Sequence, residues 1–476
     1  MSLRQPIGIV PPSQLGHVHF IAIGGSMMSG LAHLYRQLGV QVSGCDRVDS
    51  PTLRALRAEG IAAHIGHDPA HLAGVDTVVI SSAIRDTNPE LVAAREGGLR
   101  VWHRSAALAS LMIGRRVVSV AGTHGKTTTT AMTAVMLDTA GIHPSYVIGA
   151  PLAASGTSAM IGSGDVIVVE ADESDGSFLQ YPTQIAVITN VEADHLDNWG
   201  SPQHYAQGFA EFAEGPSVEA VVINVDDPGA RALAERLAGA SDRRRQLVTY
   251  GESVDAEVRI VEPVLVGTTA HAQLVVGGHA HALHLQVPGR HNLANAAAAF
   301  AVGRLLDLPA DALLRGAEAF TGTLRRFQLV AVVENPRGPI RIYDDYAHHP
   351  TEIRAALTAA RRAAGGGRLV ACFQPHLYSR TRDFAEQFGQ ALALADVVVV
   401  TDVYAAREDP LPGVTGRLVA EAAGRAGAVT HYEPDKANLP GVLASLVRPG
   451  DLVMTLGAGD ITLVGPLLAR QLVEAP

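Results

Sequence analysis

Short apolar runs alternate with helix-patterned segments along this 476-residue chain, and that rhythm most limits the folds open to it. Strands joined through a helix run parallel, and a parallel sheet is stable when helices cover both faces. The first stretch reads "VHFIAI", "SGLAHLYRQLG", "VQVSGCD", "PTLRALRAEG", "DTVVISSAI" and "PELVAAREGG". A second opens at "RRVVSVAGTHGKTTTTAMTAVMLDTAG", runs through "DVIVVEAD", "QIAVITNV" and "AVVINVDD", and closes on "HNLANAAAAFAVGRLL". Residues 254–287 read as short strands inserted in this unit. A hinge, "TGTLRRF", leads to a third alternation from "IRIYDDY" to "DLVMTLGAG". At roughly 100 to 200 residues per domain the length also suggests three. The expectation is an α/β protein of three domains: Rossmann-like over 1–105, a central P-loop mononucleotide-binding domain over 106–321, and a second Rossmann-like domain over 322–476.

The turn "HFIAIGGSMMSG" sits between a strand and a helix, where a dinucleotide fingerprint would lie. A G-x-G-x-x-G reading needs glycine at 22, 24 and 27, and the chain has Ala22, Gly24 and Met27. Only the middle position survives. Gly24 permits close approach of a phosphate to the helix start, whereas Met27 argues against NAD-type binding.

The strongest signal is "SVAGTHGKTTTT", residues 119–130. It is a tightened phosphate loop, Gly122-x-x-Gly125-Lys126-Thr127, with Val120 where the longer motif has glycine. A strand precedes it and a helix follows. Backbone N–H groups of Gly122, Thr123, His124, Gly125 and Thr128 would then cradle phosphates, Lys126 would reach the β/γ oxygens, and the Thr127 hydroxyl would hold Mg²⁺. Hard oxygen ligands for that ion are available in "VIVVEADESDGSF": Glu170, which ends an aliphatic run, then Asp172, Glu173 and Asp175. A solvated acidic loop is the other reading of the last three. The next strand ends in Asn190, Asp194 and His195, and His195 is either a ligand of a second metal or an exposed loop histidine.

Composition narrows the partners. With 37 basic and 47 acidic residues the net charge is −10, which disfavours a broad nucleic-acid face. Two cysteines, Cys45 and Cys372, in apolar strand-like settings fit a reducing compartment. The amino-terminal segment lacks the apolar core of a signal peptide, and no run approaches ~18 apolar residues. A cytoplasmic protein without membrane partners is expected.

Together "AGTHGKTTTT", "EADESDGSFL", "TNVEADHLD", "PGRHNLANAAAA", "GTLRRFQ", "DDYAHHPTEI" and "FQPHLYSRTR" resemble the Mur ligases of peptidoglycan synthesis, and they occur in order across nearly the whole chain. The similarity is greatest to the alanine-adding branch. It implies an ATP-dependent amide-forming ligase, with Mg²⁺ or alternatively Mn²⁺, acting on UDP-N-acetylmuramate and L-alanine as a monomer or homodimer. The opening turn then resembles a UDP-binding element, with Gly24, Gly25, Ser29 and Gly30 matching the family and Asp46, Ser81 and Ser82 lining the uridine cleft. The resemblance assigns Lys126 and Thr127 to the triphosphate and Mg²⁺, Glu170 to a first metal, and His195 to a second metal and the UDP substrate. Asn292 and Asn295 correspond to the adenine-contacting pair, Arg326 to a γ-phosphate residue, and Asp345 to a nucleotide contact. Tyr346, His348, His376 and Arg380 fall on the muramyl carboxylate and alanine side. Leu377 departs from the arginine common after "QPH", leaving Arg382 as a substitute.

The implied chemistry is phosphorylation of the lactyl carboxylate to an acyl phosphate, followed by attack of the amine, with His348 as a candidate base. Domain closure would exclude water from that intermediate. The absence of lysine in "YAQGFAEFAEG" separates the chain from the later, carbamylated-lysine ligases. A ligase that attaches recycled murein tripeptide is the near alternative; an ATP-binding switch module and an NAD-dependent oxidoreductase are remote ones.

Overall fold

Residues 7–239, 245–406 and 408–474 are described by the computed structural model, so the first six residues of the amino-terminal segment lie outside it. Strands β1 (Val18–Ile21), β2 (Val42–Asp46), β3 (Ala62–Ile65), β4 (Thr77–Ile80) and β5 (Arg100–His103) form a parallel sheet in the order β3-β2-β1-β4-β5. Winding reverses between β1 and β4. The crevice at the carboxyl ends of those strands is where open α/β sheets take ligands. Helix α1 (Ser26–Gln37) leaves that crevice and buries Leu31, Leu34 and Tyr35 in the core.

A second, ten-stranded sheet includes β6 (Arg116–Ala121), β7 (Ser145–Val147), β8 (Ala159–Met160), β9 (Val166–Glu170), β10 (Ile185–Ile188), β11 (Ala220–Asn224), β12 (Gln246–Gly251) and β13 (Val258–Val266). Their order is β13-β12-β11-β10-β6-β9-β7-β8, parallel except where β8 turns back on β7. The inner strands are fully buried aliphatic runs, as two-sided coverage demands. β14 (Thr269–Val276) alternates buried and half-buried positions, and β15 (His279–Leu285) follows it. The span 254–287 is thus strand-rich, as its pattern indicates.

The third sheet contains β16 (Gln328–Val333), β17 (Ile340–Asp345), β18 (Leu369–Phe373), β19 (Val397–Val400), β20 (Val429–Tyr432) and β21 (Leu452–Leu456), ordered β16-β17-β21-β18-β19-β20. Only β16 is antiparallel. Both edge strands add to the elements expected from periodicity. β20 is at best half-buried and β16 has one buried residue, so neither carries a strong apolar run. Packing divides the described chain into two compact units: residues up to 261 with 273–283 and 294–320, and residues 262–272, 284–293 and 321 onward.

Gly44 in β2 shows how little slack the first sheet has. A Cβ there would lie 2.6 Å from the Phe20 carbonyl oxygen and 2.6 Å from Ile23 Cδ1. The backbone of β1 cannot yield without breaking its ladder, so Gly44→Ala should destabilise the first unfolding transition by about 1–3 kcal/mol in urea titration. Gly8→Ala, with nothing within 4 Å, should leave that transition unchanged.

Candidate functional site

β6 delivers the chain to the phosphate loop, and the loop enters helix α2 (Lys126–Thr139) at Gly125. Two glycines are obligatory. Gly122 has φ +142° and a Cβ there would meet Thr189 Oγ1 at 1.9 Å, while Gly125 has φ +81° and a Cβ would meet Asn295 Oδ1 at 2.9 Å. Thr189 and Asn190, at the end of β10, pin the loop: Thr189 Oγ1 and Asn190 Nδ2 donate to the His124 carbonyl at 2.6 and 3.0 Å, and His124 N donates to Asn190 Oδ1 at 2.8 Å. Thr123 Oγ1 donates to the Glu192 carbonyl at 2.8 Å, and His124 Nε2 lies 2.9 Å from the Glu192 carboxylate. No side chain caps α2, so its amino end, with the partly buried Thr128 in the first turn, keeps the anion-attracting N–H array of an open helix start.

Lys126 curls back over this loop. Its Nζ donates to the Gly122 and Thr123 carbonyls at 2.6 and 3.2 Å and lies 2.8 Å from Glu173 Oε2. Burial alone would favour the neutral amine, but the carboxylates of Glu173, Asp172 and Glu170 hold its pKa above the ordinary lysine value. Glu173 is itself fully buried, and burial lifts it to about 7 against the pull of Lys126. Trp199 Nε1 donates to its carbonyl and the Tyr205 hydroxyl to its carboxylate.

The acidic stretch is therefore no solvated loop; each carboxylate has its own partner. Asp172 takes Arg104 at 2.7 Å, and Asp175 accepts from Ser82 with His103 3.8 Å away. Glu170 accepts from Thr127 Oγ1 at 3.1 Å and from the Gly149 N–H at 2.7 Å. Thr127 and Glu170 thus present adjacent hard oxygens beside Lys126, a donor pair that fits Mg²⁺. His195 starts the short helix Leu196–Trp199 with φ +50°, its Nε2 3.5 Å from Asp194.

At the first turn, Ala22 adopts φ +63°. The left-handed geometry of the fingerprint's first glycine is kept by an alanine, at the expense of local strain. Gly24 N donates to Asp46 Oδ2 at 2.9 Å, and a Cβ on Gly24 would come within 2.7 Å of that oxygen. Gly25 caps α1 and accepts from Ser29 N. Met27 packs on the core, and close approach shifts to Gly30, whose Cβ would sit 3.2 Å from Ala159. Ser81 closes a turn by accepting from Ile84 N.

In the second unit the expected residues form their own cluster. Asp345, at the end of β17, accepts from the Phe327 and Ala347 N–H groups, both at 2.8 Å; burial raises it to about 6, opposed by Arg326. Arg326 lies over Tyr346 at 5.4 Å and 3.8 Å from Glu352. His348 Nδ1 lies 3.1 Å from the Tyr346 carbonyl, and burial lowers its pKa to about 3. His349 instead caps helix α3 (Pro350–Ala364) in a capping box with Glu352. His376 stacks on Tyr404 and stands 5.8 Å, ring to ring, from His348. Leu377 caps α4 (Tyr378–Leu392) with φ +69° and is buried, as is Arg380; Arg382 is exposed and paired with its neighbour Asp383. Asn292 donates to the Pro288 carbonyl at 2.7 Å.

Profiles of three families match this chain in sequence order: the Mur ligase family catalytic domain over residues 17–116, the Mur ligase middle domain over 120–303, and the Mur ligase glutamate ligase domain over 325–459. A protein of Cutibacterium acnes named UDP-N-acetylmuramate--L-alanine ligase is 62% identical over 98% of both chains, and one of the same name from Kineococcus radiotolerans is 51% identical over 97% of both. The crystal structure of UDP-N-acetylmuramate-alanine ligase from Thermotoga maritima superposes with a TM-score of 0.81 at 29% identity, covering 96% of this chain and 98% of that one. The chain belongs to the Mur ligase family.

Within this Mur ligase, several side chains at the sites give no distinctive sequence signal. Glu173 is one of four acids in six residues, and only the fold shows that it takes Lys126. Arg325, beside Arg326, donates to the Gly457 and Gly459 carbonyls at 2.6 and 3.0 Å and lies over Tyr346 at 4.8 Å. The arginine doublet was the available clue.

The buried histidines give a pH signature. His348 and His291 are held neutral by burial, to about 3 and about 4, below the ~6.5 of an unfolded chain. Between those values the unfolded state binds more protons, so stability falls as pH drops below about 6.5. His348→Gln removes one such group. Its urea midpoint relative to the parent should rise steadily from pH 7 to pH 4; a constant offset would contradict the assignment.

Proposed function

We infer that this Mur ligase joins L-alanine to the lactyl carboxylate of UDP-N-acetylmuramate with ATP as the driving substrate. The observation that carries the reading is the near full-length 62% identity to a relative bearing that activity in its name. The phosphate loop supports it chemically. Condensing a carboxylate with an amine in water is uphill, so the carboxylate oxygen must become a leaving group. Attack of the lactyl carboxylate on the γ-phosphorus gives an acyl phosphate and ADP; the amine then adds to the acyl carbon, and phosphate departs with the C–O bond.

The first step brings two anions together. Lys126, already desolvated and cationic, is assigned to the β/γ oxygens, and Arg326 to the γ-phosphate from the second unit. Mg²⁺, or Mn²⁺ in its place, fits the oxygens of Thr127 and Glu170, with His195 assigned to a second ion; bound there it supplies charge neutralisation along the triphosphate. Gly122, Thr123, His124, Gly125 and Thr128 line the phosphates, and Asn292, Asn295 and Asp345 are assigned to the rest of the nucleotide. Gly24, Gly25, Ser29, Asp46, Ser81, His195, His376 and Arg380 are assigned to the UDP substrate, and Tyr346 with His348 to alanine. His348 donates Nδ1–H to a carbonyl and therefore offers an Nε2 lone pair; its low basicity suits orientation of the attacking amine more than storage of its proton. These roles distribute over domains 1–105 for UDP, 106–321 for ATP and 322–476 for closure. Its substrates suit a cytoplasmic enzyme, and we read it as a monomer or homodimer. No described helix is long and apolar enough to cross a membrane.

Purified protein with ATP, Mg²⁺ and UDP-N-acetylmuramate, offered alanine, glycine, serine or murein tripeptide separately, tests the proposal. Phosphate release should require the UDP sugar and be fastest with alanine. Release with tripeptide alone among the acceptors, or without any acceptor, would overturn it. Lys126→Ala should lower turnover by on the order of 10³-fold while UDP-N-acetylmuramate binding, read by calorimetry, stays within a factor of about three.

A further inference from the structure

The first sheet holds a second cluster of chemically competent side chains, away from the phosphate loop. His19 from β1, Cys45 from β2 and Glu90 from the helix Pro89–Glu96 are all buried, and their ligand atoms lie within 4.8 Å of one another. His67 and His71, after β3, close the outer side. Cys45 Sγ lies 3.1 Å from His67 Nδ1 and donates to Glu90 Oε2 at 2.6 Å; His67 Nδ1 is 3.4 Å from that oxygen and His19 Nε2 is 3.8 Å from it. His71 Nδ1 binds the other oxygen, Oε1, at 2.7 Å, and its ring stacks on His64 at 4.2 Å.

One atom is unexplained by this network. His19 is wholly buried, its Nδ1 is bonded to Ser43 Oγ at 2.8 Å, and its Nε2 faces the cluster without a hydrogen-bond partner. A buried ring nitrogen whose nearest acceptor, Glu90 Oε2, stands beyond hydrogen-bond reach at 3.8 Å is costly. Ser43 Oγ is shared with His17 Nε2 at 2.8 Å; when it donates to His17 and accepts from His19 Nδ1–H, Nε2 carries the lone pair a metal needs.

We propose that His19 Nε2, Cys45 Sγ and Glu90 Oε2 hold a divalent transition metal of the Zn²⁺ class, with His67 on the open side of the site. Metal–ligand bonds of about 2.0–2.3 Å set tetrahedral edges of roughly 3.3–3.7 Å. The His19–Glu90 separation, 3.8 Å, lies close to that range, and the three ligand atoms all lie within 4.8 Å of one another. The short one, from thiol to carboxylate, is a hydrogen bond that disappears when the thiol proton leaves to solvent as the metal–sulfur bond forms. A mixed nitrogen, sulfur and oxygen set selects a borderline metal over Mg²⁺ or Ca²⁺. His71 orients Glu90 through the oxygen that the metal leaves unused. His67 and His71 are 22% and 18% exposed, against 0% for Glu90, so the ion has a way in. Bound there, it ties β1, β2 and the helix Pro89–Glu96 together, next to the turn assigned to UDP.

Cobalt substitution tests the site in the full chain. After dialysis against chelator, Co²⁺ alone should give visible bands of a tetrahedral ion and a near-ultraviolet thiolate charge-transfer band, saturating at one equivalent and displaced by Zn²⁺. The charge-transfer band should vanish in Cys45→Ser and persist in Cys372→Ser, whose sulfur is buried in the third sheet. His71→Gln, at a partly exposed position, should weaken Zn²⁺ binding by about 10- to 100-fold while the band remains. Absence of a thiolate band in the parent, its survival in Cys45→Ser, or unchanged affinity in His71→Gln would overturn the proposal.

Discussion

The ion pair between Lys126 and Glu173 is the constraint on which the nucleotide end of this molecule depends. A buried lysine is stable as a cation only with a fixed counter-charge, and a buried glutamate needs the same in reverse. Here each supplies the other, and two loop carbonyls take the remaining ammonium protons. The loop backbone is thereby pinned by its own lysine. Removing one partner of such a pair alone costs about 3–5 kcal/mol in other proteins, so the pair is a structural element as well as a chemical one.

The same logic orders the rest of the acidic stretch. Glu170 stays with Thr127 and Gly149, Asp172 goes to Arg104, and Asp175 to Ser82 and His103. Arg104, Ser82 and His103 flank the first sheet, so the loop following β9 joins the phosphate side to the sheet assigned to UDP. A ligase that must align two anionic substrates gains from wiring the two binding regions through one loop. Of the four carboxylates, Glu170 is the one that accepts from Thr127 in the first turn of α2.

Much of this was legible in the residues. Alternating apolar runs specify parallel sheets, and Gly122, Gly125, Lys126 and Thr127 between a strand and a helix specify a phosphate loop, because few other side-chain sets tolerate that geometry. Legibility ended where partner choice is a matter of three dimensions. Nothing in "EADESDGSF" tells which acid turns inward. Ala22 and Met27 look like losses from a fingerprint, yet the fold keeps the left-handed turn with Ala22 and moves the close helix approach to Gly30. His348 and His349 are adjacent and chemically identical, and only the helix that follows makes one a cap. His19, Cys45 and Glu90 are far apart along the chain and meet through the pairing of β1 with β2 and the helix that brings Glu90 onto Cys45.

The central claim is that Lys126 exchanges Glu173 for phosphate oxygens when nucleotide binds. A crystal structure with Mg²⁺ and a non-hydrolysable ATP analogue tests it most directly. The account predicts Lys126 Nζ within hydrogen-bond reach of the β- and γ-phosphate oxygens, with Thr127 and Glu170 on the ion's side of the triphosphate. A triphosphate bound elsewhere, with Lys126 still on Glu173, would contradict it.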